Sequence, residues 1–191
     1  MIAALVFVVL LVIGIVVWMV ISRRRLDAAW RQFADELGAG FVEGGLFGSS
    51  KVQAHFKNWA ITLDTFSVSS GDSSDTYTRM RAPLLNTDGF QFTIFRMGFI
   101  SKLDKALGAQ DIDIGDPEFD RDFVIQGNNE SKVRALFANQ NIRRLIQAQR
   151  SIRAGVRGSE LLLEIHGVVR DVERLKTLFE LIKGMLDQLE G

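Results

Sequence analysis

The chain of 191 residues carries 23 basic and 23 acidic residues, so its formal net charge is zero, and 47% of it is hydrophobic. A neutral chain has no overall field that attracts nucleic acid, and the absence of cysteine excludes disulfides and thiolate chemistry. The length suits one globular domain with an appendage.

The first 21 residues form an apolar run without a charged residue, MIAALVFVVLLVIGIVVWMVI. A helix of this length, rising about 1.5 Å per residue, spans the hydrocarbon layer of roughly 30 Å. A cleaved signal peptide is the alternative, but it needs a basic start and small residues before the cleavage site. The run starts without a charge and ends in bulky residues such as Trp18 and Met19. We therefore predict a retained transmembrane anchor over residues 1–21.

Residues 22–25, SRRR, form a basic stop after the apolar run. Three arginines downstream and none upstream predict that the N-terminus lies outside, because basic residues are enriched on the cytoplasmic side of membrane spans. We predict a single-pass protein of the cytoplasmic membrane. Residues 26–191 then form one soluble domain in the cytoplasm.

A helix opens the predicted domain. Apolar residues recur every three or four positions from Leu26 to Leu37, which is typical of one buried helix face. Gly38 or Gly40 can adopt the left-handed conformation that ends such a helix. Because the helix follows the arginines directly, we expect it to couple the domain rigidly to the anchor.

Four stretches rich in aromatic and β-branched residues follow, joined by short connections with turn residues. This spacing predicts an antiparallel meander of strands. Alternation along the second stretch places Leu63 on a buried face and Asp64 on a solvated one. The four predicted strands are residues 51–56, 59–66, 76–85 and 90–97.

The second half of the chain mixes helices and strands. Residues 171–190 show apolar positions at alternating spacings of three and four, which predicts a long terminal helix capped by Asp171. This helix either docks on the domain's own sheet or forms a dimer, and the oligomeric state stays open. The elements before it are a helix at 100–107, a strand at 122–127, helices at 129–137 and 141–149, and a hairpin of strands at 151–157 and 161–169.

These elements predict an α+β fold, with an N-terminal transmembrane helix and a soluble domain built on an antiparallel sheet with a long C-terminal helix. The number of strands and the terminal helix also match a pleckstrin-homology-like (PH-like) barrel. The helices inserted between the strands weaken that match.

Motifs of common enzymes are missing from the sequence. The glycine-rich stretch 44–52 lacks the GxxxxGK spacing of a phosphate-binding loop, since Ser49 and Ser50 precede Lys51. The two histidines, His55 and His166, are too few for a typical zinc site without cysteine. We predict no catalytic residue, no cofactor and no metal ligand.

Six carboxylates fall within residues 111–122, DIDIGDPEFDRD. A calcium-binding EF-hand loop needs an oxygen ligand at its fifth position and glycine at its sixth. Counted from Asp111, these positions hold Gly115 and Asp116, so the EF-hand interpretation fails. An irregular cation site, and with it a metal-assisted hydrolase, remains the alternative function.

The same stretch has the features of a capped turn. Asp116 is a favoured N-cap residue, and Pro117 suits the first position of a helix. Phe119 and Phe123 then lie on the same side, and Arg121 offsets the repulsion among the acids. We predict that these five residues form a structural motif that fixes a loop.

Seven basic residues and no acid lie between Ser131 and Ser159. Such a block either pairs with acidic residues in the fold or forms a surface for anionic lipid headgroups or a protein partner. Nucleic acid is not expected, because Phe137 is the only aromatic residue among the basic ones. The residues predicted for this surface are Arg143, Arg144, Arg150, Arg153 and Arg157.

The stretch GDPEFDR at 115–121, followed by FVIQG and a helix ending in ALF, resembles a motif of an uncharacterised family of prokaryotic single-pass membrane-anchored proteins. In that family an FDxxF segment precedes a strand and an ALL-type helix. Leu37-Gly38 and Thr76-Tyr77-Thr78 match its upstream positions, so the resemblance covers about residues 30–150. It implies a membrane location and a fold, and no activity.

From the sequence we therefore predict a membrane-anchored, non-enzymatic binding or scaffolding domain that faces the cytoplasm. Its partner is an unknown protein or anionic lipid headgroups. The alternative is a metal-assisted hydrolase that uses the carboxylates of residues 111–122.

Overall fold

The computed structural model describes residues 2–45, 48–71, 73–85, 88–97 and 110–190. The helix predicted at 100–107 lies outside the described residues. The helices are α1 (Ile2–Leu37), α2 (Pro117–Asp122), α3 (Glu130–Ala138), α4 (Gln140–Gln147) and α5 (Val172–Glu190). The strands are β1 (Gly40–Val42), β2 (Lys51–Phe56), β3 (Trp59–Ser70), β4 (Ser73–Pro83), β5 (Phe92–Arg96), β6 (Gln110–Asp111), β7 (Phe123–Gly127), β8 (Ile152–Arg157) and β9 (Glu160–His166).

One unbroken helix joins the apolar run to the domain. α1 has 36 residues and is about 54 Å long at about 1.5 Å per residue. Large apolar side chains between Val6 and Ile21 are 46–69% exposed, whereas Trp30 and Phe33 are buried. Among the described helices, α1 is long and apolar enough to cross a membrane. Gly38 ends it with a φ of 62°, a conformation that glycine adopts without strain.

The nine described strands form one sheet in the order β1-β2-β3-β4-β9-β8-β5-β7-β6. All neighbouring strands pair antiparallel, which confirms the predicted kind of sheet. The β8–β9 hairpin lies between β4 and β5, so it separates strands that follow each other in the chain. β1 and β6 are the edge strands, and no pairing among the described strands joins them. The sheet is therefore open, whereas a PH-like barrel would be closed.

The described helices cover one face of this sheet. Apolar side chains from alternate positions of the strands, such as Leu63, Met80 and Leu163, are buried in one core with α1 and α5. The ring of Phe33 on α1 meets that of Phe179 on α5 edge to face, with centroids 6.1 Å apart. Seven apolar side chains of α5 are buried, each worth roughly 1.5–3 kcal/mol of transfer free energy. The helix therefore docks on its own domain, the first of the two alternatives predicted for it.

Candidate functional site

The acidic stretch at 111–122 contains the predicted capped turn. The carboxylate of Asp116 accepts a hydrogen bond of 3.2 Å from the backbone N–H of Phe119, and Pro117 begins α2. Phe119 and Phe123 are buried, and their rings stack with centroids 4.8 Å apart. Arg121 points outward with 70% of its side chain exposed and contacts Asp122 at 3.2 Å. The two rings and the cap hold this turn in the core.

The carboxylates of the stretch point to different partners. Asp116 forms an ion pair with Arg143 at 3.2 Å, and Asp122 forms one with Arg96 at 3.5 Å. Asp120 instead accepts hydrogen bonds from three consecutive backbone N–H groups. Among the described residues, no three acidic or histidine side chains converge where a metal ion could bind. This geometry gives the metal-assisted hydrolase no support.

The five arginines predicted for one basic surface occupy separate places. Arg143 and Arg144 lie on α4, whose buried residues pack with α5 on the helical side of the sheet. Arg150 is exposed in the turn after α4. Arg153 and Arg157 lie on β8 at positions that alternate with its buried core residues, and therefore on the other face of the sheet. The structure does not bring the five together.

The face of the sheet opposite the helices carries a row of alternating charges, which we call the charged face. The strand register places Asp64 opposite Arg79, Arg79 opposite Glu164, and Glu164 opposite Arg153. Neighbouring side chains on paired strands lie close enough for opposite charges to attract each other. The row thus crosses four strands, β3, β4, β9 and β8.

The strongest contact in this row is between Asp64 and Arg79. Two guanidinium nitrogens of Arg79 donate hydrogen bonds of 2.9 Å to the two carboxylate oxygens of Asp64. The hydrogen bonds to Asp64 raise the pKa of Arg79 above its ordinary value. Asp64 is only 4% exposed, although its place in the sequence pattern predicted a solvated side chain. The paired arginine makes this burial tolerable, because a buried charge needs a hydrogen-bonded partner.

Aromatic side chains extend the charged face. The rings of Phe66 and Tyr77 stack with centroids 5.3 Å apart, and the guanidinium carbon of Arg79 lies 4.8 Å from the centroid of Phe66. The ring of His166 meets Tyr77 edge to face. Sequence reasoning missed this face because its members come from separate strands. The sequence signal for the charged face is that its charged and aromatic residues alternate with core residues along each strand.

A second feature lies where α1 leaves the apolar run. A guanidinium nitrogen of Arg23 donates hydrogen bonds to the carbonyl oxygens of Gly44, Gly45 and Gly48, at 2.8, 2.5 and 2.5 Å. A Cβ atom at Gly44 would lie 2.4 Å from the carbonyl oxygen of Gly48, so this loop requires glycine there. Sequence reasoning used Arg23 only as a topology signal. The structure shows that it ties a loop of the domain to α1.

A pocket of about 240 Å³ opens beside this loop, and we call it the membrane-proximal pocket. Its polar lining comes from α1, the glycine loop, β3 and the loop after β9. Ser22 and Arg23 belong to the lining, and they directly follow the exposed apolar part of α1. Other polar lining residues are Asp27, Ser49, Ser50, Thr65 and Arg170.

No family model matches the chain, and no curated protein matches it. Among solved structures, the chain resembles the crystal structure of the mycobacterial trehalose monomycolate transport factor A, TtfA. The TM-score is 0.62, and the match covers 87% of this chain and 96% of that one. The sequence identity is 9%, so the likeness concerns the fold. It confirms the predicted α+β architecture.

Proposed function

We propose that the chain is a membrane-anchored, non-enzymatic binding module that assists the transport of a lipid-linked sugar, with its domain on the cytoplasmic side of the membrane. The observation that carries the membrane-anchored module is the continuity of α1, and the transport role rests on the fold likeness given below. One helix provides both the exposed apolar segment and the buried Trp30 and Phe33 of the core. The domain is therefore held at a set position above the membrane surface, as a docking module needs to be.

Two further observations support the proposal. The fold is shared with a protein whose name states that it is a trehalose monomycolate transport factor. None of the described helices covers the charged face, which carries paired charges beside aromatic rings. Such a mixture of aromatic and arginine side chains is typical of protein–protein interfaces. We propose this face as the contact for a membrane-protein partner.

The transport role is tested by deleting the chain in its host and labelling newly made glycolipids with radioactive sugar. We expect labelled glycolipid to accumulate in the cytoplasmic membrane and to decrease outside it. The full chain should restore the normal distribution, whereas a chain lacking residues 2–21 should not. An unchanged distribution of label in the deletion strain would refute the transport role.

The orientation is tested separately by fusing a periplasm-active phosphatase or a cytoplasm-active fluorescent protein to the C-terminus. The three arginines after the apolar run predict fluorescence and no phosphatase activity. The opposite result would move the domain, and with it the proposed partner contact, to the outer side of the membrane.

A further inference from the structure

The membrane-proximal pocket lies at the depth of lipid headgroups. The exposed apolar side chains of α1 end at Ile21, and the pocket lining begins at Ser22. One helical turn covers about 5.4 Å. The headgroup layer extends roughly 5–7 Å beyond the hydrocarbon on each side. A lining that begins at Ser22 and continues to Asp27 therefore faces the layer that contains the lipid phosphates.

The walls of the pocket are held in place by separate contacts. Arg23 fixes the glycine loop through its three carbonyl acceptors, and the hydroxyl of Ser50 donates to the carboxylate of Asp27 on α1. The loop after β9 is fixed because the indole of buried Trp30 donates a 2.9 Å hydrogen bond to the carbonyl oxygen of Val169. The pocket is thus preorganised, which lowers the entropic cost of binding a ligand.

The chemistry of the lining favours an anion. Arg170 is exposed at the pocket and makes no hydrogen bond or ion pair with any other described residue. Ser49 and Thr65 add hydroxyl donors to the same lining. A guanidinium with neighbouring hydroxyl donors is a typical phosphate-binding set.

The pocket lining also contains a carboxylate, which would repel a bound anion. Among the described lining residues that carboxylate is Asp27, and it already accepts a hydrogen bond from Ser50. Arg23 lies one helical turn before Asp27, and its positive charge offsets the carboxylate. Arg170 has no ionic partner among the described residues, so the described lining keeps an excess of positive charge. The volume of about 240 Å³ is below that of pockets for drug-sized molecules and suits a headgroup.

We infer that the membrane-proximal pocket binds the phosphate of an anionic phospholipid headgroup, with Arg170 and the hydroxyls of Ser49 and Thr65 as its ligands. Binding there would set the rotation and depth of the domain on the membrane, because the lipid contacts α1 and the domain at once. The inference rests on the anchoring part of the proposed function. It does not depend on the transport role.

The test uses the full chain in phosphatidylcholine nanodiscs that contain phosphatidylglycerol or phosphatidylethanolamine as the minor lipid. After transfer to a mild detergent, native mass spectrometry counts the lipid that each chain retains. We expect the wild type to retain phosphatidylglycerol in preference to the two zwitterionic lipids. Arg170→Gln should lower this retention about tenfold, because a charge-assisted hydrogen bond is lost. Thr65→Val, which leaves both arginines in place, should lower it by a smaller factor.

The matched control is Arg25→Gln, which removes the same charge from an exposed position of α1 outside the pocket lining. It should leave the retention of phosphatidylglycerol near the wild-type value. Equal losses in Arg170→Gln and Arg25→Gln would reduce the effect to general surface attraction and overturn the inference. Equal retention of phosphatidylethanolamine would overturn it as well, and so would binding of inorganic phosphate by a wild type that retains no phosphatidylglycerol. The two proposals can fail separately. If the wild type retains phosphatidylglycerol but the deletion strain shows normal glycolipid labelling, the transport role is refuted and the lipid-binding pocket stands.

Discussion

The indole Nε1 of Trp30 donates a hydrogen bond of 2.9 Å to the carbonyl oxygen of Val169. Trp30 lies on α1 and is fully buried, and Val169 lies in the loop that leads from β9 to α5. This bond therefore joins the anchor helix to the C-terminal part of the domain. Rotation of the domain about the apolar part of α1 would break a buried hydrogen bond and open the core.

Substitution of Trp30 should separate the hydrogen bond from the packing. Trp30→Phe should cost about 1–3 kcal/mol in the free energy of unfolding, because the Val169 carbonyl loses its donor. Trp30→Ala should cost about 3–5 kcal/mol, because it also leaves a cavity. Urea unfolding of the full chain in detergent, followed by circular dichroism, measures both. Trp18→Phe in the exposed apolar run is the control and should leave the stability of the domain unchanged.

The turn at 116–123 should depend on its rings and not on its exposed arginine. Phe119→Ala should lower the free energy of unfolding by about 3–5 kcal/mol, because it removes a fully buried ring. Arg121→Ala should change it by less than about 0.5 kcal/mol, since 70% of that side chain is exposed. Denaturant titration of both variants decides the matter. A comparable loss from Arg121→Ala would show that its charge has a larger role than its contacts indicate.

The pair of Asp64 and Arg79 should contribute to the stability of the charged face. Asp64→Asn should cost about 2 kcal/mol, because two charge-assisted hydrogen bonds are weakened while Arg79 keeps partial access to water. A double-mutant cycle with Arg79→Gln should show a coupling of about 0.5–3 kcal/mol. Asp75→Asn, at a side chain that is 56% exposed, is the matched control with little expected effect. A coupling near zero would contradict the assignment.

The contact between α1 and α5 should respond to pH through Glu36 and Lys176. A hydrogen bond from Lys176, with a smaller contribution from Gln32, lowers the pKa of Glu36 below 4.5. A hydrogen bond to Glu173, with a smaller contribution from the one to Glu36, raises the pKa of Lys176 above 10.5. The contribution of Glu36 is present above pH 4.5 and is lost as the pH falls through its lowered folded-state pKa. The contribution of Lys176 is present below pH 10.5 and is lost as the pH rises through its raised folded-state pKa.

Thermal unfolding of the wild type and of Glu36→Gln across this range measures the contribution of Glu36. We expect a small stability difference at neutral pH, which disappears in acid and shrinks in high salt because both side chains are on the surface. A difference that persists in strong acid would mean that the substitution acts through packing and not through charge.

Local patterns predicted the parts of the fold that depend on nearby residues. The uncharged apolar run to Ile21 predicted a helix, and the β-branched and aromatic residues between Lys51 and Phe56 predicted β2 with the bounds that the structure shows. The capped turn could be predicted because its hydrogen bond joins Asp116 to Phe119, three residues along the chain. Such features need only the periodicity and the capping preferences of a short segment.

The candidate sites depended on contacts between distant parts of the chain. The charged face requires β9 to pair with β4, and the membrane-proximal pocket combines Arg23, Thr65 and Arg170 from three separate elements. The sequence by itself determined an apolar N-terminal helix, the main strands and helices, and the turn at 116–123. Tertiary structure decided the strand order, the burial of Asp64 and the separation of the five arginines. Strand pairing selects which distant segments become neighbours, and a local pattern of side chains does not encode that choice.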